Sequence, residues 1–447
     1  MTNSATTAPA GTGSRRRTIA SAVFGNFMEY IDFGSYGVLA AIIGGVFFGN
    51  SAPGVQLLAS LAVFGVSFLF RPLGGALFGY IGDRHGRKVA LSWSVILMAL
   101  STFAIGLLPG EAAIGVLAPI LLVICRAAQG VSIGGEYSIA AAYIVESAPK
   151  NRRALWASNM SWTAAGGTLV GTGLVLILTT TLSADAMSSW GWRVPFLIAL
   201  PLGVVGLWMR LKLEDTEVFE QMKKVKKGQL DNPYKKLGVT GAKGIILCIA
   251  FGGGTGLGYY YFATYLNTYM SSTLSFSRTE ALTISLVSLA IYGGLTPLVG
   301  LLVDKIGRKK LYVTGFFLFA IYGIPVFFLL GLGFAPAFAA VILFGAIESI
   351  LNVILGVQMT EIFPANIRST GASLGYNIGI ALIGGTGPFV AALLVSLTGN
   401  PLSPGFYLVA VMLIVGVIVA LFLPETKDVD LHYEAIEPAE QAVGSSV

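Results

Sequence analysis

Six ionisable residues of this 447-residue chain fall inside long apolar runs: Glu29, Asp32, Arg71, Arg126, Glu136 and Glu348. An ionisable group surrounded by hydrocarbon is costly, so it is a candidate functional group by default. Glu29 and Asp32 are three positions apart, which places both on one face of a helix. Four carboxylates against two arginines leave an excess of negative charge. A buried carboxylate without a counter-ion takes up a proton, so these acids are candidates to bind and release protons. Asp32 is the first choice, because two acids one turn apart resist joint ionisation; Glu29, Glu136 and Glu348 are the others. The competing reading pairs Glu29 with Arg71 or Arg126 in a static ion pair and gives Asp32 only a packing hydrogen bond.

Arg126 is suited to hold a carboxylate ligand, since a guanidinium is a planar fork that stays charged. It is equally suited to be a fixed counter-ion to Glu136 or Glu29. Arg71 is a second cation for a more acidic ligand. Glu348 precedes Asn352 by one turn; the pair reads either as a cation or proton site or as a carboxylate capped by an amide. Tyr261 and Tyr265 share a helix face, and aromatic faces hold quaternary ammonium groups. Aromatic residues also line helix contacts routinely.

The elements that must position these groups are membrane spans. Hydrophobic residues make up 55% of the chain and charged residues 11%, about half the charged share of a soluble domain. Twelve apolar runs approach or exceed the ~20 residues a spanning helix needs: 18–46, 56–81, 89–109, 112–146, 154–180, 190–211, 243–270, 278–302, 311–332, 334–360, 369–398 and 404–423. Lys and Arg gather in alternate loops, with only Arg193 and Arg278 in the opposite ones. By the positive-inside rule both termini are therefore expected in the cytoplasm. The net charge of +6 then marks topology, and no nucleic-acid site is implied. Trp190 and Trp192 are expected at the outer headgroup belt.

The loops repeat. Asp83-Arg84-His85-Gly86-Arg87-Lys88 is echoed by Asp304-Lys305-Ile306-Gly307-Arg308-Lys309. Glu146, Pro149, Asn151, Arg153, Ala157 and Ser158 recur 215 positions later as Glu361, Pro364, Asn366, Arg368, Ala372 and Ser373. The pattern indicates internal duplication, the build of many secondary transporters. The expected organisation is an N-terminal disordered segment over 1–17, a six-helix half over 18–211, a connector over 212–242, a second six-helix half over 243–423 and a tail over 424–447. The connector is rich in lysine (Lys223, Lys224, Lys226, Lys227, Lys235, Lys236) and reads as a solvated cytoplasmic link. Asp83 and Arg87 with Glu146 and Arg153, and Asp304 and Arg308 with Glu361 and Arg368, are expected to form charge clusters that hold the halves together on the cytoplasmic side. Such contacts are made in one conformation and broken in another.

Other classes fit poorly. Cys125 and Cys248 lie inside apolar runs and form no CxxC pattern, so no metal or disulfide framework is read. His85 and His432 have no plausible serine or cysteine partner, and Gly252-Gly253-Gly254-Thr255-Gly256 lacks the lysine of a phosphate loop. Neither an enzyme nor an ATP-driven pump is supported. A channel would need a filter-like loop or a ring of like charges.

Gly82-Asp83-Arg84-His85-Gly86-Arg87-Lys88 resembles the signature loop of the major facilitator superfamily. Gly25-Asn26-Phe27-Met28-Glu29-Tyr30-Ile31-Asp32-Phe33, Arg71-Pro72-Leu73-Gly74-Gly75, Arg126-Ala127-Ala128-Gln129-Gly130, Gly134-Gly135-Glu136-Tyr137 and Trp190-Gly191-Trp192-Arg193-Val194-Pro195-Phe196 resemble its metabolite:proton symporter family. Asp32-Phe33-Gly34-Ser35-Tyr36-Gly37 and Ala199-Leu200-Pro201-Leu202-Gly203 look most like the proline/betaine branch. The resemblance implies an all-α membrane protein of twelve helices in two pseudo-symmetric halves. It also implies a proton-coupled carrier of the inner membrane, with no cofactor and no nucleic-acid partner. Its expected partners are a small carboxylate-bearing substrate, protons and the lipid bilayer, and the expected state is a monomer. A zwitterionic osmolyte such as proline or betaine is the expected substrate. A di- or tricarboxylate or a shikimate-type acid is the alternative.

Overall fold

The structure, a computed structural model, describes residues 12–212 and 238–431. The lysines of the connector, His432 and the end of the tail lie outside the described residues, as do residues 1–11. Among the described residues, twelve helical segments are long and apolar enough to cross a bilayer. They are α1 Val23–Phe47, α2 Gly54–His85, α3 Arg87–Leu107, α4 Leu117–Ser147, α5 Lys150–Thr181 and α6 Gly191–Leu211 in the first half. The second half holds α7 Gly241–Ser272, α8 Arg278–Ile306, α9 Arg308–Leu330, α10 Phe334–Glu361, α11 Arg368–Thr398 and α12 Ser403–Phe422. The helix carrying α1 begins at Thr12, so the stretch expected to be disordered through residue 17 is helical from that point.

Within each half the same neighbours recur. α1 packs on α5 and α2 on α4; α7 packs on α11 and α8 on α10. The halves meet chiefly through α5 against α8 and α2 against α11. Those two contacts exchange under the duplication, so the interface has a pseudo-twofold. Large apolar side chains such as Leu73, Trp208, Leu298, Ile321 and Phe422 point outward and are more than half exposed. On a soluble protein such a surface would drive association; around a bundle of spans it faces lipid. Trp190 is exposed as expected, but Trp192 is fully buried. The short 3₁₀ turn Gly191–Arg193 folds its ring inward against Phe47 and Phe196, with centroids 5.5 and 6.1 Å away.

Two glycine positions explain the tight approach of α2 and α4. A Cβ on Gly74 would strike the Val131 carbonyl, and one on Gly134 would strike the Arg71 carbonyl. In lipid there is little hydrophobic drive between helices, so packing at this distance carries the association. The approach also positions Arg71. Gly86 and Gly307 serve a different need. They take φ of 104° and 112° in the two repeated loops, a region that residues with a Cβ avoid. Each lets one span stop and the next start at once.

Replacing Gly134 by Val should force α2 and α4 apart and destabilise the protein by about 1–3 kcal/mol or more. Thermal unfolding of purified protein in detergent should show a clear fall in midpoint. Gly54→Ala, where an added Cβ meets nothing within 4 Å, should leave the midpoint in place. Equal midpoints for the two variants would refute the close-packing account.

Candidate functional site

Each acid of the first half buried at membrane depth has its own arginine. Glu29 on α1 bonds Arg71 on α2. Asp32, one turn further along α1, accepts from Arg126 Nη1 on α4 at 2.7 Å. Glu136 on α4 pairs with Arg210 on α6, which also donates to the Leu91 carbonyl. Arg210, at the end of the apolar run 190–211, is not among the six ionisable residues read from the sequence at membrane depth. The structure corrects this: the residue is fully buried and turned back into the half. Arg126 therefore serves neither Glu136 nor Glu29. Its guanidinium lies 3.7 Å from the Tyr36 ring centroid, and Nη1 also donates to Gln129 Oε1 at 2.8 Å. Gln129 in turn donates to Thr102 Oγ1 at 2.6 Å. The partners named for Arg126 all belong to the first half.

With Arg210 counted, three arginines balance three acids, and Glu348 on α10 is the acid left over at this depth among the described residues. Glu348 is fully buried. Its Oε1 accepts from Asn352 Nδ2 at 3.4 Å, and Oε2 has no hydrogen-bond partner. Asn352 Oδ1 accepts from Ser161 Oγ on α5 at 3.0 Å. Glu348 is thus tied through one amide to the opposite half.

Aromatic rings fill the seam between the halves. Arg71 lies 4.8 Å from the Phe68 centroid and 5.3 Å from that of Phe33. Phe68 meets Tyr260 of α7 edge-on at 4.8 Å. Tyr30 meets Tyr259 at 5.3 Å, and Tyr137 stacks on Tyr376 at 4.9 Å. All five tyrosines are buried. Tyr261 and Tyr265 do not join this seam. Their rings pack on Phe327, and the Tyr261 hydroxyl donates to the Pro404 carbonyl at 3.3 Å. A π-helical turn over Tyr261–Tyr265 changes the helix register there. Tyr259 and Tyr260 are consequently the α7 tyrosines that face the first half.

All eight repeated loop residues gather at the face bearing the basic loops. Arg87 pairs with Asp83 at 3.1 Å and Glu146 at 3.2 Å; Arg308 pairs with Asp304 at 3.4 Å and Glu361 at 3.1 Å. The remaining two arginines reach across, contrary to a separate cluster in each half. Arg368 bonds Glu146 at 2.9 Å and Arg153 bonds Glu361 at 3.3 Å. Both aspartates cross as well. Asp83 accepts from the amides of Ser369 and Thr370 in the first turn of α11, at 3.2 and 2.8 Å. Asp304 accepts from those of Ala154 and Leu155 in the first α-helical turn of α5, at 3.0 and 2.9 Å. A carboxylate at a helix start satisfies amides that lack intrahelical partners and meets the positive end of the helix dipole. The clamp is reciprocal, and its charges are almost wholly buried.

The chain beyond α12 crosses the same face. Glu425 accepts from the amides of Arg308 and Lys309, and Thr426 Oγ1 donates to Glu361 Oε2 at 2.7 Å. Further on, the carbonyls of Val429 and Leu431 accept from Arg153 and Arg368 at 2.7 and 3.3 Å. The tail therefore bonds both cross-half arginines. This contact has no side-chain signature, so sequence reasoning could not find it.

Comparison with known proteins gives a consistent result. The sequence profile of the Major Facilitator Superfamily matches residues 22–376 and 249–443. The chain is 37% identical over 430 residues to the glycine betaine/proline/ectoine/pipecolic acid transporter OusA of Dickeya dadantii (strain 3937), covering 93% of this chain and 84% of the relative. It is 36% identical over 428 residues to the proline/betaine transporter of Escherichia coli (strain K12), covering 93% and 85%. Among solved structures it is similar to the proton:xylose symporter XylE bound to 6-bromo-6-deoxy-D-glucose. That match has a TM-score of 0.78 at 18% identity, over 95% of this chain and 98% of the other.

Asp83→Asn should weaken the reciprocal clamp, because a neutral amide is a poorer acceptor for the α11 amides and a lost partner for Arg87. Ser138 meets Ser373 of the other half at 2.5 Å and is fully buried. In a background lacking Cys125 and Cys248, Ser138→Cys should react with a membrane-permeant maleimide several-fold faster when Asp83→Asn is present. An unchanged rate, with normal expression, would remove the clamp role from Asp83.

Proposed function

The chain belongs to the Major Facilitator Superfamily, and we propose that it is a proton-coupled symporter that takes up a zwitterionic osmolyte such as betaine or proline. The observation that carries the mechanism is the reciprocal clamp, which ties the two halves at the face of the basic loops through residues that repeat between them. Halves joined this way rock about a site in their seam, exposing it alternately to each side. The basic loops support placing the clamped face in the cytoplasm, both termini with it, in the cell inner membrane. With the clamp closed the carrier is shut on that side. The substrate class rests on the relatives, whose names include betaine and proline. The protein acts as a monomer on this reading, and the proton gradient supplies the drive without a cofactor.

The ion pairs provide a coupling rule. Arg71 borders second-half tyrosines and is better placed than Arg126 for a substrate carboxylate; Arg126 stays with Asp32 as a counter-ion. When Arg71 turns to the substrate, Glu29 loses its partner. One proton on the α1 acid pair, Glu29 with Asp32, restores the balance. Glu136 remains neutralised by Arg210 and is a structural pair. Substrate and proton therefore enter together. A tricarboxylate would bring more negative charge than one freed arginine and one proton can offset, which disfavours that part of the organic-acid alternative.

Proteoliposomes with an imposed proton gradient should concentrate labelled betaine or proline, alkalinise the outer medium, and lose both effects with a protonophore. Asp32→Asn or Glu29→Gln should equilibrate and exchange substrate without concentrating it, since a neutral amide mimics the protonated acid. Full accumulation in both variants would remove coupling from the α1 pair. Saturable citrate or α-ketoglutarate uptake that ignores excess betaine and proline would overturn the substrate reading.

A further inference from the structure

Glu348 is the one acid at membrane depth, among the described residues, that has no arginine. It is fully buried, and its Oε2 has no hydrogen-bond partner. A carboxylate in this position needs either a proton or a positively charged ligand to be stable. Its surroundings favour the ligand. Tyr137, Tyr259 and Tyr292 come from α4, α7 and α8, helices that each pack against α10. The hydroxyls of Tyr137 and Tyr292 are themselves without hydrogen-bond partners. Tyr259 and Tyr292 stand 6.0 Å apart, centroid to centroid, at 60°. A Cβ on Gly258 would collide with Glu348 Oε2, so the carboxylate sits directly against the α7 backbone beside Tyr259. Asn352 holds the other oxygen and is anchored to Ser161 across the seam.

We propose that Glu348 is the receptor for the positive charge of the substrate, with the rings of Tyr259 and Tyr292 beside it, and that it sets the preference for zwitterions over anions. Aromatic faces and a carboxylate attract an alkylated ammonium that has no N–H to donate. A secondary ammonium such as that of proline adds a direct hydrogen bond to Oε2. The site is then divided by charge: arginine in the first half for the carboxylate, Glu348 in the second for the cation. A zwitterion bridges the halves, whereas a plain anion leaves Glu348 bare. This rests on the zwitterion reading above and adds the group that enforces it.

The probe pair is betaine and 3,3-dimethylbutanoate, its carbon isostere without the positive charge. Wild-type protein in proteoliposomes should bind betaine much the tighter, measured by competition against labelled betaine or proline in counterflow. Glu348→Gln should weaken betaine by about tenfold or more, the scale of a lost cation contact. It should leave 3,3-dimethylbutanoate unchanged or tighter, which also shows that the variant is folded. Glu348→Asp should fall between. Unchanged betaine affinity in Glu348→Gln overturns the proposal. So does a variant that binds betaine normally but no longer concentrates it, since that assigns Glu348 to the proton. Equal weakening of both probes overturns it too, by making the role structural. If wild-type protein takes up neither betaine nor proline, the substrate reading fails first, and the two failures are distinguishable.

Discussion

Charge cannot stand alone where water is absent, and this constraint organises the interior of the protein. Removing one partner of a buried pair costs about 3–5 kcal/mol, because the other charge stays behind unmatched. The first half meets the constraint with three internal pairs: Glu29 with Arg71, Asp32 with Arg126, and Glu136 with Arg210. They are not equivalent. Two stay inside the half, and the third, Glu29 with Arg71, borders tyrosines of the opposite half through Phe68 and Tyr260. The second half leaves Glu348 unmatched. The two halves, duplicates in their loops, have diverged in the charges they bring to the seam.

The same rule governs the clamp, but with the opposite design. Internal pairs fix helices within a half. Clamp pairs share each glutamate between an arginine of its own half and one of the other. If the halves part as proposed, Glu146 would keep Arg87 and Glu361 would keep Arg308, so neither carboxylate would be stranded. Breaking the cross-half bonds exposes Arg153 and Arg368 to a face where water can replace the lost partners. That is how a buried charge network can be both strong and reversible.

The spans were legible because a bilayer demands about twenty apolar residues per crossing, and the clamp because its residues recur in two repeated motifs, 221 and 215 positions apart. What the sequence could not convey was partner choice. Arg126 was matched to Glu136 or Glu29, and the selection of Asp32 depends on how α1 and α4 cross. Arg210 was missed because a residue at the end of a span looks, in one dimension, like the loop that follows it. Tyr261 and Tyr265 do share a face, but their spacing could not say that this face turns to Phe327 of their own half and away from the seam. Trp192 was misread because a short 3₁₀ turn, invisible to composition, rolls it inward. The misses lie in what one dimension leaves open: partner choice, the rotation of a helix, the end of a span and a local turn.

The tail after α12 grips Arg153 and Arg368 through the carbonyl oxygens of Val429 and Leu431. A main-chain carbonyl is the same in every amino acid, so this grip does not depend on which side chains occupy those positions. Substitutions there can accumulate without loosening it, so long as the backbone keeps its path. Among distant relatives the segment could look unrelated letter by letter and still bind the same two arginines. Its preservation would be seen in the spacing from the last helix to those carbonyls, and an alignment scored by residue identity would pass over it.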